Sequence, residues 1–285
     1  MSNKIDFYKN LDPYLECKDY TVSGETYQVQ INKEYEMLVT TPVPKQLGDY
    51  YESEAYISHT DAKKSLLEKV YQAVKKIALK KKLKLINSFN LSDKTVLDIG
   101  AGTGDFLKVC QNNSWKVQGI EPNLNARKIA LKKGIHLQEN LEQLSNKRFD
   151  IITLWHVLEH LEHLQDYIKT LKSLLKENGR IIVAVPNYKS FDANYYTNYW
   201  AAFDVPRHLW HFSKTSIIKL FGNEKMTVAT ILPMKFDAFY VALLSEKYKH
   251  GSAKPLTAFF KGLTSNVKAA RSGEYSSLVY IIKHN

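Results

Sequence analysis

A short stretch of the chain, HVLEHLEH, concentrates residue types that bind metals and transfer protons. His156, Glu159 and His160 match the H-x-x-E-H pattern of inverted zinc peptidases, and His163 follows three residues later. On a continuous helix the three histidines would share one face, because positions i, i+4 and i+7 lie close together there. The alternative is that the stretch connects a strand to a helix and belongs to a different kind of site. The predicted elements on either side of it distinguish these two interpretations.

The elements around this stretch alternate between strands and helices. Apolar, β-branched runs predict strands at 95–99, 116–121, 135–138, 149–155, 180–186, 226–232 and 277–283. Helical spacing of apolar residues predicts helices at 105–113, 125–134, 164–179 and 214–222, and from about 236. Strands that alternate with such helices form right-handed βαβ units. The sequence therefore predicts an α/β fold, doubly wound around a mostly parallel seven-stranded sheet.

This arrangement removes the premise of the zinc site. The run FDIITLW ends at Trp155, so His156 stands at a strand end and not in the middle of a helix. A zinc peptidase needs its histidines on an established helix, a further ligand and an open position for water. We therefore predict no metal site here. His156 is expected to face a ligand cleft, and His160 to be buried and structural.

Bulk composition limits the classes of protein that the chain can belong to. Its 285 residues are 44% apolar and 24% charged, as in a soluble globular protein. No apolar run approaches the roughly 18 residues of a membrane span. The first residues lack the pattern of a secretion signal, so we expect a cytoplasmic protein. With only Cys17 and Cys110, a disulfide framework and a cysteine-based zinc site are excluded, and both thiols are expected to be packing residues.

The formal net charge of +11 has one concentrated source. In the segment 61–85, lysines fall between apolar residues that recur at helical spacing. One interpretation is an amphipathic helix with a solvated lysine face. The other is a basic patch for an anionic substrate, a nucleic acid or a membrane surface.

A glycine-rich turn follows the first strand of the alternating region. Its residues are Asp98, Gly100, Gly102 and Gly104, within DIGAGTGD. Such a turn lets a ligand approach the backbone closely. The dinucleotide fingerprint G-x-G-x-x-G would need glycine where Asp105 stands, and no G-K-[ST] of a Walker A loop is present. An acidic residue at the strand tip suits a cofactor that carries a positive amine and would repel a pyrophosphate.

Four segments now carry a family resemblance. They are VLDIGAGTGDFL, GIEPN, FDIITLWHVLEHL and LLKENGRIIVAVPN, in this order over roughly residues 93–187. Together they resemble the class I S-adenosylmethionine-dependent methyltransferase family. The later DVPRHLWHFS is similar to a segment of one subgroup of small methyltransferase domains and extends the resemblance to about residue 220. The resemblance implies methyl transfer with S-adenosyl-L-methionine as cofactor.

The resemblance also implies roles for individual residues. Asp98 would hold the methionine amino group of the cofactor, directly or through water. Glu121 would accept hydrogen bonds from both ribose hydroxyls, because a carboxylate has the two oxygens that a diol needs. The glycine turn would pass beside the methionine portion, and Asn140 and Leu141 would flank the adenine. The further positions implied along the cofactor are Gly100, Ala101, Gly102, Pro122 and Trp155.

The chain divides into an N-terminal Tyr-rich extension at 1–60 and a methyltransferase domain at 61–285. The domain has a lysine-rich helix at 61–86, a cofactor-binding core at 93–186 and an irregular segment at 187–213. That segment follows the carboxyl end of a strand, where ligands bind in open α/β sheets, so it is expected to form the acceptor site. The extension lacks the cysteine-rich zinc module of some relatives. It offers three tyrosines that could close over the cofactor: Tyr50, Tyr51 and Tyr56.

Methyl transfer is an in-line displacement at carbon, for which a protein mainly supplies positioning and desolvation. A hydroxyl acceptor also needs a general base, and histidine suits neutral pH. His156 and His208 are the catalytic candidates, with His211 near them. Asp204 and Arg207 either serve the acceptor site or pair with each other. The resulting hypothesis is transfer to a small molecule, at oxygen.

Two alternatives stay open. The first is a methyltransferase for RNA or protein that uses the lysine-rich helix, although a nucleic-acid partner is not favoured. The second is a protein that binds S-adenosylmethionine without turnover. The identity of the acceptor and the oligomeric state do not follow from the sequence.

Overall fold

The computed structural model describes residues 5–51, 66–144 and 147–285, with side chains of the first helix from residue 72 onward. Tyr56 lies outside these ranges. The strands are β1 (Leu11–Lys18), β2 (Thr26–Asn32), β3 (Met37–Thr41), β4 (Thr95–Ile99), β5 (Lys116–Ile120), β6 (Phe149–Trp155), β7 (Leu175–Pro186), β8 (Trp210–His211), β9 (Met226–Pro233) and β10 (Ser277–His284). The α-helices are α1 (Leu66–Asn87), α2 (Asp105–Gln111), α3 (Leu124–Lys132), α4 (Leu164–Leu174), α5 (Phe191–Tyr196), α6 (Lys214–Asn223), α7 (Asp237–His250) and α8 (Pro255–Ser272).

The main sheet has six strands in the order β5-β4-β6-β7-β10-β9. Its first four strands are parallel, and β10 runs antiparallel between β7 and β9. Helices connect the parallel strands, so the predicted α/β fold is confirmed. The seventh strand, predicted at 135–138, is reduced to a single bridge between Ile120 and Gln138. Only Gln138 exchanges backbone hydrogen bonds with β5 and the residue after it, so no ladder develops.

The boundary between α4 and β7 differs from the prediction. The helix was expected to continue to residue 179, but it ends at Leu174 and β7 begins at once. Leu175 is fully buried and lies opposite Phe149 of β6. Burying Leu175 between neighbouring strands outweighs the stop signal of Asn178 and Gly179, which become an irregularity within the strand.

Three strands of the N-terminal extension belong to a second sheet, which also contains a strand of the segment 187–213. Strands β1, β2 and β3 are antiparallel, and β8 adds to β3 in the order β1-β2-β3-β8. Leu38 pairs with His211, and Val39 pairs with Trp210. Since β8 belongs to the segment predicted to form the acceptor site, the extension holds that segment in place through backbone hydrogen bonds.

The acceptor segment is irregular, as expected, but it is tightly tied down. Asp192, at the start of α5, is fully buried and accepts hydrogen bonds from three different elements. The indole of Trp200 donates at 2.8 Å, and the hydroxyls of Ser265 and Ser276 each donate at 2.6 Å. A buried carboxylate is stable only with such donors. Asp192 therefore joins the acceptor segment to α8 and to the start of the last strand.

Replacing Asp192 with asparagine is expected to lower the free energy of unfolding by about 1–2 kcal/mol. The amide removes the charge that strengthens three hydrogen bonds and turns its own NH₂ group toward donors. Urea denaturation monitored by circular dichroism measures the change. Asp166→Asn, at a largely exposed carboxylate of α4, is the matched control and should leave stability unchanged. Equal stabilities of the two variants would show that Asp192 does not tie the segment down.

Helix α1 forms where the lysine-rich segment predicts a helix, but two of its lysines turn toward the domain. Lys75 forms an ion pair with Asp105 at 2.7 Å. Lys82 lies 4.1 Å from the centroid of the Trp155 ring. The lysine face is therefore not entirely solvated. Over the part of the chain that the structure describes, no helix has the length and apolarity that crossing a bilayer requires.

Candidate active site

The turn between β4 and α2 has the backbone that its glycines predict. Gly100, Gly102 and Gly104 all have positive φ angles, of 66°, 53° and 75°. A Cβ atom on Gly100 would lie 2.4 Å from Cγ2 of Val157, which no real contact allows. A Cβ atom on Gly102 would meet no atom within 4 Å. The turn thus packs against Val157 at Gly100 and leaves space for a ligand at Gly102.

Glu121 joins this turn to the end of β5. Its side chain is buried, and one carboxylate oxygen accepts a hydrogen bond from the Gly102 amide at 2.8 Å. The other oxygen accepts from the Asn123 amide at 2.9 Å. Each carboxylate oxygen has a second lone pair available for another donor. The geometry therefore fits the predicted role of Glu121 as an acceptor for two ribose hydroxyls.

Asp98 is the second acidic residue near the turn, and it is only 3% exposed. The Thr153 hydroxyl donates to its carboxylate at 2.5 Å. Burial raises the pKa of Asp98 to about 6, although the Thr153 hydrogen bond and the Lys82 ammonium act in the opposite direction. A buried carboxylate of this kind gains stability from a further cationic donor. An amino group such as that of methionine satisfies this need.

Lys82 is a residue of this region that the sequence reasoning missed. Burial lowers its pKa to about 8, against the opposing influence of Asp98 and Asp237. The signal that could have found it is helical phase, because Lys82 lies one turn after Ala78 on the apolar side of α1. A lysine on the buried side of a helix indicates that the fold supplies a carboxylate partner for it, here Asp98 and Asp237.

The other predicted cofactor positions fall into three environments. Leu141 is partly buried and packs against the main core, while Asn140 and Pro122 are exposed beyond the end of β5. The Trp155 ring lies between Phe106 and Lys82, and its indole N–H has no hydrogen-bond partner. Ala101 donates its amide hydrogen to the Ile120 carbonyl at 2.9 Å. Contact of these residues with the cofactor stays a prediction.

His156 follows β6 with a positive φ of 57° and bridges two carboxylates. Its Nε2 lies 3.1 Å from Asp237, and its Nδ1 lies 3.4 Å from Glu159. Burial alone would lower the pKa of His156, but the two carboxylates outweigh it and raise the pKa to about 10. A protonated imidazole cannot accept a proton. The arrangement therefore speaks against His156 as a general base.

HVLEHLEH does not form the helix that a zinc peptidase motif needs. The residues Leu158–His160 form one 3-10 turn, Leu161 is extended, and α4 begins only at Leu164. His160 is half-buried, and its Nδ1 lies 3.0 Å from the Tyr51 hydroxyl. Tyr51 also donates to the Arg207 carbonyl at 3.2 Å. Tyr51, predicted to cover the cofactor, is thus placed against the histidines of the acceptor side.

His208 is buried in the acceptor segment beside an ion pair. Arg207 and Asp204 pair with each other at 2.5 Å, as one of the two interpretations of the sequence predicts. The Asp204 carboxylate also lies 3.8 Å from His208 Nε2. Burial and the neighbouring His160 hold the pKa of His208 well below its usual range, so its ring is neutral. Burial lowers the pKa of His211 to about 3, and its Nε2 lies 3.0 Å from the Thr40 hydroxyl, a structural position.

The parallel sheet, the glycine turn that follows β4 and the acidic residues at the carboxyl ends of β4 and β5 together define a class I S-adenosylmethionine-dependent methyltransferase. The sequence profile of the methyltransferase domain family matches residues 67–225, more than half of the chain. The chain therefore belongs to this family, and the predicted class, enzyme type and cofactor are confirmed.

Curated relatives match a limited part of the chain. The ubiquinone biosynthesis O-methyltransferase of Serratia proteamaculans is 30% identical over 105 residues, which cover 33% of this chain and 44% of that protein. The protein of the same name from Pasteurella multocida is 32% identical over 116 residues, covering 34% and 48%. These matches thus span less than half the length of either relative.

Solved structures share the fold over most of the chain. The magnesium protoporphyrin IX methyltransferase of Synechocystis, crystallised with S-adenosylhomocysteine, superposes with a TM-score of 0.56 at 16% identity. The superposition covers 83% of this chain and 97% of that chain. A putative sarcosine dimethylglycine methyltransferase of Galdieria sulphuraria gives a TM-score of 0.51 at 11% identity, covering 75% and 87%. At these identities the likeness extends to the fold alone.

Proposed function

We propose that this methyltransferase acts on a small-molecule acceptor and transfers the methyl group to oxygen. The observation that carries this proposal is the group of histidines and carboxylates that the segments after β6 and β7 bring together. An oxygen acceptor has to lose a proton, and His208 would accept it at Nε2. The carboxylates of Glu159 and Asp204, 4.0 Å and 3.8 Å from this nitrogen, would stabilise the imidazolium that forms. The names of the relatives that match the core, O-methyltransferases, support the same acceptor atom.

We assign the cofactor to the carboxyl ends of β4 and β5. Asp98 would bind the amino group, Glu121 the ribose hydroxyls, and the backbone at Gly102 would lie along the methionine portion. S-adenosylmethionine, when bound there, supplies an electrophilic methyl group on a positive sulfur. The buried carboxylates favour this cationic ligand because their negative charge is poorly screened by water.

The acceptor would lie on the side of His156 and His208. Two features support a small acceptor there. The segment 187–213 is tied to the N-terminal sheet and, through Asp192, to Ser265 of α8. Tyr51 contacts both His160 and the Arg207 carbonyl of this segment. Such a segment positions an acceptor and excludes water, which is the main contribution of a protein to this reaction. Lys75 and Lys82, turned inward, reduce the basic face that an RNA backbone would meet.

The acceptor class can be tested with a cofactor that carries a tritiated methyl group. Purified protein is incubated with panels of phenols and catechols, of small amines, and of structured RNA and unfolded protein. We expect label in the hydroxyl compounds. Label confined to amines would refute the oxygen assignment, and label confined to the macromolecules, lost at high salt, would support the alternative acceptor. Cofactor binding without label in any panel would indicate a non-catalytic binding protein.

Replacing His208 with alanine is expected to lower turnover by ~100-fold or more, the contribution of a typical general base. The affinity for S-adenosylhomocysteine should not change, because the glycine turn and Glu121 do not contact His208. Saturation kinetics and isothermal titration calorimetry measure the two quantities separately. His163→Ala, at an exposed histidine after the 3-10 turn, is the matched control. Unchanged turnover in the His208 variant would remove this residue from the mechanism.

Three further statements stay predictions of the sequence. They are the division into an extension at 1–60 and a domain at 61–285, the location in the cytoplasm, and the assignment of Asn140 and Leu141 to the adenine. The pairing of β3 with β8 in the second sheet supports a single folding unit that includes the extension. We therefore expect that removing residues 1–60 destabilises the whole domain.

A further inference from the structure

Three side chains from two segments that are distant along the chain lie close together near His156. Glu159, His160 and His208 each offer one ligand atom, and these atoms all lie within 4.8 Å of one another. The two segments are held together by a backbone hydrogen bond from the Leu209 amide to the Glu159 carbonyl at 2.9 Å. The set differs from the H-x-x-E-H pattern, since His156 is replaced by a histidine of the acceptor segment.

The carboxylate of this cluster has a charged neighbour in His156 but no hydrogen bond of good geometry. Glu159 is 0% exposed, and neither of its oxygens accepts a hydrogen bond. His156 lies 3.4 Å away as an ion-pair partner, without hydrogen-bond geometry. A carboxylate in the protein interior normally accepts several hydrogen bonds or binds a cation. The carboxylate therefore has room for another positive ligand.

Both histidines of the cluster are oriented by backbone carbonyl groups. Nδ1 of His208 lies 2.9 Å from the Ala202 carbonyl oxygen, and Nδ1 of His160 lies 3.0 Å from that of Arg207. A carbonyl oxygen can only accept, so each Nδ1 carries the proton and donates it. Each Nε2 then has a free lone pair. Metal-binding histidines are held in this way by a second hydrogen bond that fixes tautomer and ring orientation.

The surroundings suit a divalent cation. The rings of His160 and His208 lie edge to face with their centroids 4.6 Å apart. Two positively charged imidazoles would repel each other at this distance, whereas two neutral rings can share one metal ion through their ring nitrogens.

We propose that Glu159, His160 and His208 bind one divalent transition-metal ion of the Zn²⁺, Co²⁺ or Fe²⁺ class. Two imidazole nitrogens and one carboxylate oxygen are the ligands that these ions prefer, whereas Mg²⁺ and Ca²⁺ favour oxygen alone. Three protein ligands leave at least one coordination position for an exogenous oxygen.

The open position gives the ion a role in the reaction. An acceptor hydroxyl bound there would lose its proton to solvent more readily, because a cation stabilises the resulting oxygen anion. With the Nε2 lone pair of His208 bound to the ion, the ion would replace the imidazole as the group that promotes this loss. This role rests on the proposed transfer to oxygen. The metal site itself does not, since its ligands are complete without an acceptor.

Metal binding can be tested on the full chain after dialysis against a chelator. Co²⁺ is titrated in visible absorption, and Zn²⁺ in calorimetry. We expect one equivalent of either ion and Co²⁺ bands typical of a site with nitrogen ligands. Glu159→Gln and His208→Ala should each weaken binding by at least ~10-fold, since loss of a ligand costs no less than loss of its supporting hydrogen bond. His163→Ala, the exposed histidine, should bind normally.

Titration with S-adenosylhomocysteine reports the fold of every variant. If a buried variant loses this binding, His160→Gln, at the half-exposed ligand, replaces it in the comparison. Binding of less than one equivalent by the wild type, or equal affinity in all ligand variants, would overturn the proposal. Normal cofactor binding without metal would refute the metal site alone. Stoichiometric metal with no labelled hydroxyl acceptor would refute the proposed function alone.

Discussion

Replacing Glu121 with alanine is expected to lower the affinity for S-adenosylhomocysteine by ~100-fold or more. The proposed site loses two hydrogen bonds from ribose hydroxyls to a charged acceptor, each worth about 1.5–3 kcal/mol. The variant also releases the amides of Gly102 and Asn123, which now donate to the carboxylate. Isothermal titration calorimetry with S-adenosylhomocysteine gives the affinity directly.

Two further variants separate binding from folding at this position. Glu121→Gln keeps the size of the side chain but only one acceptor oxygen, so its affinity should lie between those of the wild type and the alanine variant. Glu177→Ala removes an exposed carboxylate of β7 and should bind normally. If Glu121→Ala bound as tightly as the wild type, the carboxylate would serve only to hold the glycine turn.

Replacing Gly100 with alanine is expected to cost about 2–5 kcal/mol of stability and to abolish cofactor binding. A positive φ costs an L-residue about 1–2 kcal/mol. The added methyl group would also overlap Cγ2 of Val157, and such overpacking costs about 1–3 kcal/mol. Relief of this overlap has to move the turn that carries Gly102. Urea denaturation and calorimetry measure the two consequences.

The two causes can be separated by a double-mutant cycle. Val157→Ala removes the overlapping methyl groups. Adding it to Gly100→Ala should therefore restore the stability lost to overpacking, while the loss caused by the positive φ remains. Gly222→Ala, in α6, is the control, because its added Cβ atom meets nothing within 4 Å and its φ is ordinary. This control should stabilise the protein by about 0.5–1 kcal/mol. Wild-type stability of Gly100→Ala would show that the turn adapts without cost.

Local sequence patterns were sufficient to predict the bounds of two strands that carry the site. β4 and β6 begin and end where the sequence predicts, because continuous apolar runs bounded by glycine or a polar residue leave few alternatives. The strand tips place Asp98, Glu121 and His156, since parallel strands end at one edge of the sheet. The predicted strand at 135–138 failed, because a run of four residues with an exposed centre adds little burial to an edge.

Long-range contacts decided what local patterns could not. The end of α4 was set by burial of Leu175 beside β6, although Asn178 and Gly179 are strong local stop signals. The second sheet depends on pairing of β3 with β8, which are far apart along the chain. His156 was predicted to face the chemistry as a base, but its partner Asp237 belongs to α7. Only the fold brings that carboxylate within 3.1 Å of the imidazole, where it raises the pKa of His156.

Local sequence patterns were enough to predict the class of fold, the methyltransferase family and the acidic residues beside the glycine turn. These features follow from residue types at fixed short spacings within one βαβ unit. Tertiary structure decided the charge state of His156, the inward position of Lys82 and the convergence of Glu159 with His208. The physical reason is that burial and charge partners control the pKa and ligand capacity of a side chain, and the partners come from segments that no local spacing relates. HVLEHLEH thus contributes two ligands to a candidate metal site whose third ligand lies in another loop.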